Sequence, residues 1–538
     1  MAAVTQISKT RRLLSTYTLA RGGVCASILL LACGGGSAAT ETEPAQPARD
    51  EPSAPAGGTD IDPVEPAPVA QPAEQAPPVE EPGGSDEPVS SDVDEPPAPA
   101  PEPAARCDGS MSFDDLYGAI ERDLSAEDDD APFLRYISLS HRYNQGICPE
   151  DLADDRLAMM RALNGLSTEV GIVAPEAIDE DGVLYRIDLR DLGWDQPATV
   201  DGVAFADKWE AIIAASPYAV ELAGDDADAA KAAAQTSVPV LFSDALINAT
   251  VVGDLYYELI GMGANAFDLF AQLGIDFADV DVRAGMSSSR MSQQDTIIQR
   301  FEQGNFQGFY WSRFDIADET GGQSIFADPL GFQGDVISSL FTLPNGLLAF
   351  ALFDAAGARI ADTEVLVDQF QRDGRVRNSV SCSACHAAGV NPVTDEVRTY
   401  VETNRFDFDA DTFGDVDETF VPQLELDDVI QGDNAFYQAS LERAGLASAG
   451  GDPVSLVYQR FDGEVSLEAA AGELGITPDE LDRDLVALGN EGDPVLSVLR
   501  TQSLRREQFE GAYLPTLCAL LRSSDNQPLA ADCDAAIQ

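Results

Sequence analysis

Residues Cys382, Cys385 and His386 stand together as C-x-x-C-H, in a chain whose only other histidine is His141. Two thiols one short turn apart can add to the two vinyl groups of a single porphyrin. The next-door imidazole then reaches the iron. A structural zinc site would need further Cys or His ligands, and the chain has no second C-x-x-C. The motif therefore predicts one covalent haem c, with Cys382, Cys385 and His386 as its attachment and axial residues. A chain built this way has to wrap a core around a flat cofactor near residue 385.

The second axial position is open at this level. After His386 there is no Met, His or Lys, and all seven methionines lie upstream. His141 is expected on a helix face shared with Leu134 and Ile137, pointing inward. This makes bis-histidine ligation by His386 and His141 the leading expectation. Met286 or Met291, or an open or water-bound iron, are the alternatives. A filled sixth position suits electron transfer, whereas an open one would permit peroxidase-like chemistry or sensing. Arg135, Arg142, Arg375 and Arg377 are candidates to pair with the haem propionates.

The other cysteines point to an oxidising compartment. Lys9, Arg11, Arg12 and Arg21 precede the apolar run Val24 to Ala32, which is too short for a permanent span and reads as an export signal over residues 1–32. Leu30-Leu31-Ala32-Cys33 resembles a lipobox, which makes Cys33 the lipidated first residue and the membrane anchor. The expected location is extracytoplasmic, at the outer membrane. Cys107 with Cys148, and Cys518 with Cys533, are plausible disulfides, stabilising by roughly 4 and 3 kcal/mol in loop entropy.

Residues 33–106 are rich in Pro, Ala, Glu and Asp with few large apolar side chains, and are expected to be a disordered tether. Beyond it, periodicity predicts an α+β fold. A mixed helical and antiparallel-sheet haem domain spans 107–431, and a small helical subdomain spans 432–538. Helix is expected through 113–144 and 149–164, and a strand where Val183, Tyr185, Ile187 and Leu189 alternate with polar neighbours. Strand, turn and strand are expected across 341–353. This differs from the compact all-helical cytochromes, whose haem motif lies near the chain start.

The net charge of -61 repels nucleic acid and favours a basic redox partner. Residues 466–477 look like a helix-turn-helix core, but Glu468, Glu473, Asp479, Glu480 and Asp482 argue against DNA and for a packed helical hairpin. Asp407, Asp409, Asp411, Asp415 and Glu418 have calcium-loop spacing. The sixth position holds Thr412 instead of glycine, so the segment reads as an acidic solvated loop rather than a calcium site.

Taken together, residues 135–144, 186–194, 309–311, 343–350 and 381–386 resemble a group of uncharacterised bacterial exported proteins with a single haem motif. The resemblance spans about 107–401, with a weaker echo at 469–481. It implies a haem-binding, electron-transferring protein. It also places a histidine where His141 stands, which implies a ligand role there, but it supplies no substrate.

Overall fold

The computed structural model describes residues 107–533, apart from 108, 128, 318–322, 449–450, 489–496 and 524–532. The expected export signal, Cys33 and the 33–106 tether lie outside the described residues. The described chain is α+β, as its periodicity predicts. Among the described residues no helix is long and apolar enough to cross a membrane.

Two sheets organise the molecule. The first is built from Leu134–Ser138 (β1), Glu176–Ala177 (β2), Leu184–Asp188 (β3) and Val240–Phe242 (β6), in the order β2-β3-β1-β6. A small separate hairpin, Ala198–Val200 (β4) and Val203–Phe205 (β5), precedes β6. β1 pairs antiparallel with β3 and parallel with β6. Successive strand residues face opposite ways, so each strand feeds two cores. Ile137, Tyr185, Ile187 and Leu241 enter one of them. Leu134, Tyr136, Leu184, Val240 and Phe242 enter the other.

The second sheet is a five-stranded antiparallel meander: Val282–Met286 (β7), Thr296–Glu302 (β8), Phe309–Asp315 (β9), Val336–Thr342 (β10) and Leu348–Asp354 (β11). It divides the interior in the same way. Phe301, Tyr310, Phe341, Ala349 and Phe353 join the first core. Ile298, Trp311, Leu340 and Phe350 turn to the opposite side, where the helix Gln423–Ala444 covers them with Leu426, Ile430, Tyr437 and Leu441. Each large apolar side chain buried this way contributes about 1.5–3 kcal/mol. A two-stranded ribbon follows, Asp362–Val367 (β12) with Arg375–Arg377 (β13), and it leads directly into the short helix Val380–Cys385.

Three expectations need correction. Residues 134–138 are a strand, not part of a long helix. Helix Phe113–Leu124 ends at Ser125, and only the short 3-10 turn Ala131–Phe133 and the α-turn Ser140–Tyr143 are helical again. β1 is central and buried along its whole length, so it shows no polar alternation to reveal its period. The division at 431/432 falls inside the helix Gln423–Ala444. Moreover Phe461, Leu474, Phe509, Tyr513 and Leu517 share a core with Phe113, Tyr117 and Leu134, so the C-terminal segment is no separate subdomain. The acidic residues with calcium-loop spacing do not form a loop: Ala410–Thr419 is a helix, with the Asp409 carboxylate accepting from the Thr412 amide.

The helix-turn-helix stretch folds as Leu467–Glu473 and Pro478–Leu488. Ala470, Ala471, Leu474 and Leu481 are buried in the shared core. Disulfides join Cys107 to Cys148 and Cys518 to Cys533, with Cα atoms 5.2 and 5.3 Å apart.

Candidate functional site

The short helix Val380–Cys385 is fixed from three directions. Asn378, fully buried just ahead of it, accepts from the Gly253 amide at 2.9 Å and donates to the Gly253 carbonyl at 3.1 Å. Ser379 takes φ +60°, a conformation costly for a non-glycine residue, and turns the chain out of β13 into the helix. Within the motif, Ser383 Oγ lies 2.8 Å from Ser455 Oγ on the helix Pro453–Phe461. Ser455 is held in turn by Asp452, whose carboxylate also meets Arg161 Nε at 3.1 Å.

Cys382 and Cys385 are free thiols, in contrast to the four paired cysteines among the described residues. Burial pushes the Cys382 thiol up to about 12, with smaller contributions from Cys385 and Asp368. Burial also raises Cys385. The His386 ring is drawn below its ordinary value by burial and by Arg313, against an opposing hydrogen bond to the Gly389 carbonyl. That bond is 2.9 Å from Nδ1. It fixes the tautomer, with Nδ1–H as donor, and leaves Nε2 as the nitrogen available to a metal. Gly389 takes φ +116°, and a Cβ there would come within 2.1 Å of Asn434 Oδ1. Asn434 grips the neighbouring residue through both Val390 backbone groups. The long helix thus holds the loop that orients His386.

Beside the motif lies a cavity of about 560 Å3, a usual size for a cofactor pocket. Cys382, Cys385 and His386 form one wall. The opposite wall is one face of the five-stranded sheet: Met286, Ile298, Trp311, Arg313, Ser338, Leu340 and Phe350, drawn from alternate positions of five strands. Met291 and Arg290, from the β7–β8 connection, close another side. The Trp311 ring is pinned by a 2.7 Å bond from Nε1 to Asp433, which also accepts from Arg300 at 2.9 Å.

These residues fit a covalent haem. Two thiols and an imidazole with a free nitrogen share one wall, the facing surface is mostly apolar, and two thioether sulfurs lie on the lining. Arg313 supplies a cationic end, bonded to Asp315 and, at 2.8 Å, to Ser289 Oγ. Among the described residues no group of three or more His, Cys, Asp and Glu is arranged to hold a bare metal ion. A haem iron asks only for axial donors.

The structure does not bring His141 to this cavity. Because residues 134–138 form a strand, the expected helix face does not exist, and His141 is buried elsewhere against Asp244, with Nε2 3.2 Å from Oδ1. Burial alone would raise the Asp244 carboxyl, but His141 and Arg460 beside it outweigh that and hold it well below the usual range. Arg460 also binds Asp155, which meets Arg142 at 3.3 Å. The other arginines expected at the propionates are engaged too: Arg375 with Asp362 and Glu364, Arg377 with Asp373, and Arg135 with backbone carbonyls and Asp207.

Sequence reasoning missed Trp311, Arg313, Arg290 and Asp433. Phe309, Trp311 and Arg313 do alternate with Tyr310, Ser312 and Phe314, but both sets are largely apolar, which masks the period. The chain matches no family model, no curated protein and no solved structure.

Proposed function

We propose that this chain is an extracytoplasmic monohaem c-type cytochrome that transfers electrons, tethered to a membrane through Cys33. The observation that carries the reading is the cavity of about 560 Å3 walled by Cys382, Cys385 and His386 on one side and by Met286 and Met291 on others. When bound, the haem would supply a one-electron ferric/ferrous couple.

The chain's own residues do the rest. Cys382 and Cys385 tether the group, and His386 presents Nε2 from a ring whose orientation Gly389 holds. Met286 and Met291 are the thioethers on the lining that would be available as a second ligand to the iron in place of His141. Methionine ligation raises the potential relative to a second imidazole. Arg313 is also paired, with Asp315, but unlike Arg135, Arg142, Arg375 and Arg377 it lies on the lining, where with Ser289 and Ser338 it would face the carboxylate end. The apolar wall excludes water and limits reorganisation.

The test is an absorption spectrum of protein produced with a haem-attachment system, with haem staining after denaturing electrophoresis. Covalent haem that is lost in Cys382→Ala/Cys385→Ala is expected. So is a low-spin spectrum that turns high-spin in Met286→Ala or Met291→Ala and survives His141→Ala. Absence of covalent haem would end the reading. A high-spin parent that binds carbon monoxide would move the protein to a peroxidase-like enzyme or a sensor.

A further inference from the structure

The face of the five-stranded sheet turned away from the cavity carries a polar row. Arg283 on β7 pairs in register with Gln299 on β8, Gln299 with Ser312 on β9, and Ser312 with Ser339 on β10. Residues paired across neighbouring strands share a face and stand about 5 Å apart. The direction of that face is fixed by Ser339, whose Oγ lies 2.6 Å from Tyr310 Oη in the first core. The row runs between two apolar groups. Phe301 and Tyr310 border it on one side. Ile297 borders it on the other, packed with Val397 and Val416 of the helices Val397–Thr403 and Ala410–Thr419.

Ser339 has its partner, but the other three members do not. Arg283 Nε, Gln299 Oε1 and Ser312 Oγ are each enclosed, and none meets a hydrogen-bond partner among the described residues. Ser312 is only 1% exposed. Buried polar groups are almost always paired, so three bare atoms on consecutive strands mark a place where something else pairs with them. Arg283 sharpens this. Every other described arginine that is not exposed takes part in a hydrogen bond or an ion pair, and Arg283 takes part in neither. That runs against a composition of 93 Asp and Glu to 32 Lys and Arg. Burial pulls its guanidinium below the ordinary value, and Asp415 opposes this without forming an ion pair.

We propose that Arg283, Gln299 and Ser312 form a binding site for a small hydroxycarboxylate. The unpaired guanidinium takes the carboxylate. Gln299 Oε1 accepts from the ligand's hydroxyl, and Ser312 Oγ, which both donates and accepts, pairs with the same group. Adjacent strands lie about 5 Å apart, so the carboxylate and the hydroxyl must stand within a few bonds of each other, as in a 2- or 3-hydroxy acid. Phe301, two positions along β8, and the half-exposed Phe277 stacked on it at 5.5 Å give this flank apolar carbon. The site is independent of the haem reading and uses none of the residues assigned to that group.

The experiment is calorimetric titration of the purified full chain with racemic lactate and 3-hydroxybutyrate. Propionate and butyrate, the same acids without the hydroxyl, are the controls. One hydroxy acid is expected to bind one-to-one, with its control at least tenfold weaker because Gln299 Oε1 then stays bare. Arg283→Met is expected to abolish binding. Ser312→Ala should weaken it about tenfold and narrow the lead over the control. Arg122→Met, which removes an exposed arginine from the helix Phe113–Leu124, should change nothing. A ligand-induced rise in melting temperature, kept in Arg122→Met and lost in Arg283→Met, reads the same site in variants of slightly lower stability.

Equal binding of an acid and its hydroxyl-free control would overturn the hydroxy-acid assignment. Binding that persists in Arg283→Met, or falls equally in Arg122→Met, would overturn the site. Absence of binding by both hydroxy acids would leave the row to ordered water and end the proposal.

Discussion

Trp311 Nε1 donates to Asp433 Oδ2 at 2.7 Å, and this bond joins the sheet wall of the cavity to the helix that covers it. Arg300 adds two bonds of 2.9 Å to the same carboxylate. Asp433→Ala strands a buried indole N–H and an arginine that keeps only Asp281. The expected cost is about 3 kcal/mol. Asp433→Asn, which still accepts from Trp311, should cost less. Denaturant melts of the two variants check the order.

His141 is structural in this fold. His141→Ala removes one partner of the buried Asp244, which keeps Arg460 at 2.7 Å. A loss of about 2–4 kcal/mol is expected, with the haem bands unmoved. A shifted Soret band would contradict the assignment.

Gly472 lies against the His141 backbone, and a Cβ added there would fall 2.0 Å from the His141 carbonyl oxygen. Neither side can yield, since both contacts are main chain or fixed to it. Gly472→Ala should therefore force the helix Leu467–Glu473 away and cost about 2–3 kcal/mol. Thermal melting of this variant beside the exposed Gly511→Ala, where a Cβ meets nothing, isolates the effect.

Lys208 gives a pH signature. Its side chain is buried and donates to the Leu259 carbonyl at 2.9 Å. Burial pulls the ammonium down to about 8, against the pull of Glu258, Asp195 and Glu169. Between pH 8 and the ordinary lysine value the unfolded chain binds more protons than the folded one, so stability contributed at this site rises with pH. Relative to Lys208→Met, the parent should gain about 2 kcal/mol between pH 7.5 and 9.5. Paired denaturation curves at the two pH values read it directly.

Residues 107–431 alone should not make a minimal haem domain. That truncation cuts the helix Gln423–Ala444 and removes Asp433, Asn434 and Tyr437, which hold Trp311, the Gly389–Val390 turn and Arg161. Loss of cooperative melting and rapid proteolysis are the expected outcomes.

That Cys382, Cys385 and His386 lie together was legible because C-x-x-C-H is local: three chemical groups within five positions. So was β3, where Tyr185 and Ile187 alternate with Arg186 and Asp188. What failed was anything set by packing between distant segments. Leu134–Ser138 is buried on both faces because it divides two cores, so helical spacing could be read into it, and that error carried His141 to the wrong place. Arg290 and Arg313 gave no local signal, since their site is defined by where a five-stranded sheet meets the distant short helix Val380–Cys385. The same holds for the 431/432 boundary: the helical pattern is read as resuming there, but the helix Gln423–Ala444 and its hydrophobic contacts run straight through it.

Phe113 and Tyr117, from the first described helix, share a core with Tyr513 and Leu517 from the last. A ribosome delivers the chain from its N-terminus, so that core stays open until almost the whole polypeptide has emerged. The topology is a delay. Cys382 and Cys385, partly buried in the finished fold, emerge while the structure around them is still incomplete. Chemistry on those two thiols has its widest access before the last helix arrives.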